Sequence, residues 1–298
     1  MTTTDAGPAP ELRDPAGGGG LLDVFRRRYL LKLLVRKEVK VRYQGTVLGI
    51  AWSYIQPAMR YFVYFVIIGI VLQLNRKIPN FPVHIVAGMV MVHFFTETFS
   101  SSTSSVVKNK ALVRKVGLPR EMFPVASLLV SAVNIVPAFI ILFVVSVLTG
   151  WHITWDFLPS LVLAFSLVAV WGFGIGLLFS AFNVYYRDFS KVVQAVSVII
   201  PWSTPMIYAY EMVRDQLAAH QWALEIYLAN PVTNAVMLSQ QAMWVPTLDQ
   251  TGLADSAALD LPPDLYMRGL IILGIGLVLV FLAQKTFTRL ESSFAEQL

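Results

Sequence analysis

Long apolar stretches, each about the length of a bilayer-spanning helix, dominate this sequence. They cover 47–74, 83–106, 125–149, 159–184, 192–210 and 266–286. A helix needs roughly 20 predominantly apolar residues to cross the hydrocarbon core. Only 14% of the residues are charged, against about 25% in an average soluble domain. We therefore predict an all-α membrane protein with six transmembrane helices, and we exclude a soluble enzyme.

The region before the first span differs in character. Residues 1–20 are polar and rich in Gly and Pro, which predicts a disordered tail. In 21–46, apolar residues recur at helical spacing, at Leu22, Phe25 and Leu33 among others. Basic residues fill the positions between them. This pattern predicts an amphipathic helix lying at the membrane surface, with a solvated helix of a soluble domain as the alternative.

Basic residues predict the orientation of the chain. With both termini placed in the cytoplasm, 18 Lys and Arg residues lie on the cytoplasmic side and four on the other. Cytoplasmic loops carry such an excess in plasma-membrane proteins. We therefore expect a six-helix domain over 47–286 and a cytoplasmic tail over 287–298. The net charge of +5 is assigned to lipid headgroups and topology rather than to nucleic acid.

Nucleotide-binding motifs are absent from the sequence. It contains no G-x-x-x-x-G-K-[ST] loop, so ATP hydrolysis, if it drives this protein, must come from another chain. The paired glycines of 171–176 and 273–278 lie inside apolar spans, where small residues favour close helix packing. Four scattered histidines and no cysteine predict neither a metal site nor an enzyme. The connection 211–264 contains apolar runs too short to cross, which predicts short re-entrant or interfacial helices.

Ionisable residues inside the spans are few. His93 and Glu97 are one helical turn apart, so they share a face. They suggest either an ion relay or one polar face lining an aqueous cavity, and the neighbouring Ser and Thr residues favour the cavity. Arg60 has three open roles: it snorkels, pairs with Glu97 or lines a pathway.

Aromatic residues cluster on two spans. Membrane-interface anchoring or helix packing explains any single one of them. The alternative is a channel in which sugar rings slide over aromatic faces. The candidate channel-lining residues are Tyr54, Tyr61, Tyr64, Phe65, Glu97, Trp202 and Tyr208.

The loop 107–124 is short and basic. It contains a predicted helix from Asn109 to Val116, ended by Gly117 and Pro119. An ordinary topogenic loop is one interpretation. The other is a coupling helix that docks in a groove of a partner ATPase.

Six segments in order resemble one known family. They are KVRYQGTVLGIAWSYIQP (40–57), NKALVRKVGLPREMFP (109–124), GLLFSAFNVYYRDFSKV (176–192), TPMIYAY (204–210), NPVTNAV (230–236) and FTRLESSFAEQL (287–298). Together they resemble the membrane subunit of ABC-2-type polysaccharide exporters, which export O-antigen, teichoic acid and related lipid-linked glycans such as galactan. One departure is Gly117-Leu118, where the family often has an aromatic residue before Pro119.

The resemblance implies a homodimer that pairs with two copies of a separate ABC ATPase, which would bind ATP and Mg, while this chain binds no cofactor. It implies a lipid-linked polysaccharide substrate carried on polyprenyl pyrophosphate. The implied ATPase contacts are Asn109, Leu112, Arg114, Lys115, Arg120 and Glu121 in the first cytoplasmic loop and Tyr186, Arg187 and Asp188 in the second. The implied pyrophosphate or headgroup contacts are Arg36, Lys37, Lys40 and Arg42. An external gate segment would include Asn230 and Pro231. The alternatives are an ABC-2 drug or lipid exporter and an ion-coupled secondary transporter.

Overall fold

The structure is a computed structural model of the 298-residue chain, and it describes residues 20–45, 47–115, 118–248 and 261–297. These residues form helices joined by turns, and this described part contains no β-strand. The α-helices are α1 (Gly20–Arg26), α2 (Arg28–Tyr43), α3 (Trp52–Tyr64), α4 (Phe81–Lys108), α5 (Lys110–Lys115), α6 (Met122–Leu148), α7 (Phe157–Tyr185), α8 (Asp188–Ile199), α9 (Tyr210–Leu217), α10 (Gln221–Leu228), α11 (Pro231–Met243), α12 (Leu265–Leu290) and α13 (Phe294–Gln297). The predicted tail before residue 20 lies outside the described residues.

Five helical stretches are long and apolar enough to cross a membrane. They are Gly49–Val71, Phe81–Lys108, Met122–Leu148, Phe157–Tyr185 and Leu265–Ser293. The first combines a 3-10 turn, α3 and a π-helical turn. These stretches coincide with predicted spans one, two, three, four and six, so the prediction of an all-α membrane protein is confirmed for them. A helix suits the bilayer because it satisfies its backbone polar groups internally.

The predicted fifth span, 192–210, is not one continuous helix. Helix α8 ends at Ile199 and is followed only by the 3-10 turn Ile200–Ser203. Pro201 and Pro205 explain the break, because proline lacks a backbone N–H and disfavours helix at the preceding residue. Thr204 is accordingly extended, with φ −126° and ψ 152°. Six continuous spanning helices are therefore not confirmed: the described chain has five and this shorter, interrupted segment.

Helix α4 is the centre of the bundle. In the most apolar 18-residue stretch of α4, 78% of the residues are buried. The corresponding share is 17% for Gly49–Val71 and 22% for Met122–Leu148. Helix α4 packs against α6, α7 and α11. The outer helices therefore expose apolar sides that lipid or a second chain would cover, whereas α4 is enclosed by the protein.

Glycines bring α7 close to its neighbours, as predicted. A Cβ on Gly176 would lie 2.7 Å from Cβ of Ser102 in α4, and one on Gly172 would lie 3.3 Å from Cβ of Thr98. Gly276 of α12 packs similarly on Trp171. Gly274 has open space around its missing side chain, so the packing prediction fails at that glycine alone among these four.

A second, smaller core joins the two ends of the described chain. Val24 of α1 and Leu31 and Leu34 of α2 belong to the same buried cluster as Phe287 and Phe294. Helix α12 continues to Leu290. The predicted tail boundary at 286 therefore falls inside a helix, because two buried phenylalanines hold the segment after it against the bundle.

Three helices occupy the described part of the long connection before α12. Helices α9 and α10 have eight residues each, and α11 has 13, so all three are too short to span. Helix α11 is almost entirely buried against α4 and α7. Asn230 caps it, because its side chain accepts a hydrogen bond from the backbone N–H of Val232 and Pro231 occupies the first turn.

Candidate functional site

A polar face runs along the C-terminal half of α4, inside an otherwise apolar helix. It consists of His93, Thr96, Glu97, Ser100, Ser101 and Ser104, spaced to line one side of the helix. This face lines two adjoining cavities of about 290 and about 440 Å³. Glu97, Ser101 and Arg42 line both of them. The structure therefore supports the polar-face interpretation of this segment, because the hydroxyl groups line cavity walls.

Glu97 is bound from two sides. Its Oε1 lies 2.5 Å from Nη1 of Arg42, at the end of α2, and accepts a hydrogen bond of 2.8 Å from Nδ2 of Asn134 in α6. This oxygen therefore connects three helices, α2, α4 and α6.

The contacts of Arg60 show that it does not pair with Glu97. Its Nη1 lies 3.0 Å from Nδ1 of His93, one turn away from Glu97. Arg60 therefore pairs with His93, and Glu97 pairs with Arg42. His93 and Glu97, the two groups of the alternative ion relay, thus each contact a different arginine.

The basic residues of α2 divide into two groups. Arg36, Lys37 and Lys40 have exposed side chains, while Arg42 turns onto α4. A second ion pair joins the same two helices, since Nζ of Lys108 lies 3.0 Å from Oε2 of Glu38. Helix α2 is thus attached to α4 by two ion pairs and presents its remaining cations outward.

The predicted aromatic channel residues lie in different environments. Tyr54 and Trp202 are exposed, at 41% and 59%. Tyr61 is buried in the main core, and Tyr64 and Phe65 pack against that core. Tyr208 is half-buried and donates to the carbonyl of Trp202 at 3.0 Å. The channel-lining prediction for Tyr61 is corrected, because its own chain covers the ring.

The first predicted coupling loop contains the short helix α5, as expected. Asn109 lies before it and donates from Nδ2 to the carbonyl of Ser105 in α4 at 3.0 Å. Leu112 is half-buried against the smaller core. The side chains of Arg114 and Lys115 lie outside the described residues. A movement of α5 would therefore reach α4 directly through Asn109.

Arg120 and Glu121 do not face outward. Glu121 is fully buried, and its Oε1 accepts a hydrogen bond of 2.8 Å from Nε2 of Gln284 in α12. The guanidinium of Arg120 lies 5.9 Å from the ring centroid of Phe294. The prediction that these two residues contact a partner is corrected, because within one chain Glu121 joins the loop to α12 and Arg120 joins it to α13.

The second predicted contact stays on the surface. Tyr186, Arg187 and Asp188 form the turn between α7 and α8, and all three are exposed. Oδ1 of Asp188 lies 3.0 Å from Nζ of Lys191 on the same helix. This turn is therefore available to another protein.

An arginine clamp attaches α10 to the last span. Arg268 of α12 binds Glu225 of α10 through two bonds of 2.6 and 3.0 Å and also binds Asp264 at 2.6 Å. The hydrogen bond from Arg268 holds the pKa of Glu225 below its ordinary value. Sequence reasoning missed this clamp, and also Asn134, although an asparagine within an apolar span was a signal for a polar partner.

Comparison with known protein families identifies the family of this chain. Residues 29–244 match the family model of the ABC-2 type transporter membrane domain. The chain belongs to the ABC-2 type transporter family. The matched region of this ABC-2 transporter membrane domain includes nearly all of α2, the polar face of α4 and both predicted coupling segments.

Two curated relatives align with nine-tenths or more of this ABC-2 transporter chain, and a third aligns with 73% of it. It is 24% identical over 271 residues to the O-antigen export system permease protein RfbA of Klebsiella pneumoniae, covering 90% of this chain and 94% of that protein. It is 25% identical to RfbA of Myxococcus xanthus, covering 93% and 98%. It is 21% identical to the polysialic acid transport protein KpsM of Escherichia coli, covering 73% and 82%.

Proposed function

We propose that this chain is the permease subunit of an ATP-driven exporter that moves a polyprenyl-pyrophosphate-linked polysaccharide across the plasma membrane. The observation that carries the proposal is the pair of adjoining cavities along α4, whose walls carry hydroxyl groups and the charged side chains of Arg42, Glu97 and Lys108. Hydroxyl side chains suit a glycan, and guanidinium and ammonium groups suit phosphate oxygens. The relatives named for O-antigen and polysialic acid export support the same substrate class.

The proposed assembly is a homodimer with two copies of a separate ABC ATPase, with both termini in the cytoplasm. Each subunit would cross the membrane six times, with α8 and the interrupted segment after it as the fifth passage. The large apolar exposure of α3 and α8, including Phe62 and Val198, supports a second copy and lipid as their neighbours.

The proposed coupling runs through two contacts with the ATPase. ATP binding in the partner would move α5 and the turn Tyr186–Asp188. Asn109 would pass the motion of α5 to α4, and Glu121 would pass it to α12 through Gln284. The two helices that move are therefore α4, whose polar face lines the cavities, and α12, which holds α10.

Export in cells tests the proposal. Deletion of the gene should trap lipid-linked glycan on the cytoplasmic side, and the wild-type gene should restore surface glycan. Glycan that still reaches the surface without a substitute exporter would overturn the proposal. Flux driven by a proton gradient without an ATPase would instead support a secondary carrier.

A matched pair of variants tests the role of the α2 cations. Replacing Arg36 and Lys37 by Gln should reduce export, because these exposed cations lie where we place the pyrophosphate. Replacing Arg76 and Lys77 by Gln removes the same charge from exposed positions on the opposite face and should leave export near the wild-type level. Equal losses in the two variants would contradict the assignment.

A further inference from the structure

Arg42 differs from the other cations of the interfacial helix in having a carboxylate partner on a membrane span. Its guanidinium reaches back to α4 and binds Oε1 of Glu97 at 2.5 Å. Asn134 of α6 holds the same oxygen at 2.8 Å. The pair therefore ties the C-terminal end of α2 to the centre of the bundle.

The pair is accessible from water. Arg42 retains 45% of its side-chain exposure and Glu97 retains 26%. Both residues line both cavities, and the wall around them carries the hydroxyl groups of α4 together with Ser131 of α6. A solute in either cavity can thus reach the guanidinium and the carboxylate without unfolding any element.

Carboxylate and phosphate oxygens bind a guanidinium in the same way, through short charge-assisted hydrogen bonds. We infer that Glu97 is a built-in competitor for the phosphate groups of the substrate. It occupies Arg42 in the empty transporter and yields it when a phosphate-bearing headgroup enters. Asn134 retains Glu97 after the exchange, and the end of α2 is freed from α4. This inference rests on the substrate class proposed above and adds a positioning residue that regulates binding.

The expected size of the effect follows from the exposure of the pair. Partly exposed ion pairs favour the bound over the free state by up to about fivefold, and the short contact between Arg42 and Glu97 belongs at the upper end of this range. The apparent affinity for a ligand that needs the free state falls by the same factor. Removing the charge of Glu97 should therefore raise the apparent affinity for a phosphate headgroup by about fivefold.

Binding measurements on the full-length chain with its ATPase, in vesicles of zwitterionic lipid, test the inference. The probes are farnesyl pyrophosphate and inorganic pyrophosphate. We expect Glu97→Gln to bind farnesyl pyrophosphate about fivefold more tightly than wild type, and Arg42→Gln to bind it more weakly. The same gain with inorganic pyrophosphate supports recognition of the phosphates themselves, whereas a gain confined to the isoprenoid probe contradicts it.

Two controls separate competition from simpler effects. Glu38→Gln breaks the other ion pair between α2 and α4, so a gain equal to that of Glu97→Gln would show general loosening and overturn the inference. In the Arg42→Gln background, Glu97→Gln should give no gain. A gain there would show only the removal of negative charge from the cavity, and it would also overturn the inference.

The remaining outcomes also test the inference and the proposed function. If Glu97→Gln fails to fold, Glu97→Asp, which shortens the reach to Arg42, should give a smaller gain in the same direction, and no gain counts against competition. If wild type binds farnesyl pyrophosphate and no Glu97 variant binds it more tightly, the inference fails and the proposed function stands. If neither wild type nor Glu97→Gln binds either probe, both fail.

Discussion

The contact between α4 and α7 allows a quantitative prediction at Gly176. A Cβ there would lie 2.7 Å from Cβ of Ser102 and 3.2 Å from the backbone carbonyl oxygen of Phe99. The first distance is shorter than two side-chain carbons tolerate, so Gly176→Ala forces the two helices apart. Overpacking of this kind costs about 1–3 kcal/mol, and the higher helix propensity of Ala offsets about 0.5–1 kcal/mol of it.

The net expectation for Gly176→Ala is a loss of about 1–2 kcal/mol of stability. For a chain of this size, that corresponds to a melting temperature lower by about 2–3 °C. Thermal unfolding of the purified protein in detergent measures it. The matched control is Gly274→Ala, whose Cβ meets nothing within 4 Å and which should melt at or slightly above the wild-type temperature.

Second-site variants identify the cause. Ser102→Gly removes the carbon that clashes, so it should recover most of the loss in the Gly176→Ala protein. Ser102→Ala retains that carbon and should recover none. A Gly176→Ala protein that melts with wild type, or equal recovery by both second-site changes, would refute the reasoning.

Three further predictions concern other parts of the molecule. Reversing the charges of Arg114 and Lys115 should abolish substrate-stimulated ATPase activity of the proposed complex while the proposed dimer still assembles. Size-exclusion chromatography and an ATPase assay check both, and normal stimulation would contradict a docking role for α5. Because the bond to Arg268 lowers the pKa of Glu225, the clamp should stabilise the protein above the ordinary carboxyl value of 4.5 and lose this contribution as pH falls below it. Melting temperatures of wild type and Glu225→Gln should therefore converge in acid, and a constant difference would count against the clamp. Trp244→Phe should lower the free energy of unfolding by about 1–2 kcal/mol, because it removes the 2.8 Å hydrogen bond donated by the indole N–H and leaves a small cavity. An unchanged melting temperature would show that this hydrogen bond contributes nothing to stability.

Local rules account for most of the helices. The apolar stretches at 83–106, 125–149 and 159–184 became single helices whose ends lie within three residues of the prediction. Apolar length and backbone hydrogen bonding decide such elements without reference to neighbours. The stretch 192–210 differed although its prolines were visible, because hydropathy measures length of apolar sequence and not continuity of the helix.

The candidate site was less accessible to the same reasoning. Glu97 stood out as a charge in an apolar span, but its partner proved to be Arg42, 55 residues earlier in the chain, and not Arg60. The sequence predicted Glu121 to lie on the surface of a basic loop, but its side chain is buried against α12. Helical spacing predicts which residues share a face, but it carries no information about which face of another helix lies opposite.

The amino-acid order alone therefore determined that this chain is a helical membrane protein with a basic N-terminal helix and a polar face on its second span, since these follow from short-range periodicity and from the cost of placing charge in hydrocarbon. The tertiary structure decided that this face lines a cavity and which cation meets which carboxylate. Those pairings depend on the crossing angles and positions of helices that are distant in sequence. The packing of all the helices in the bundle sets this geometry.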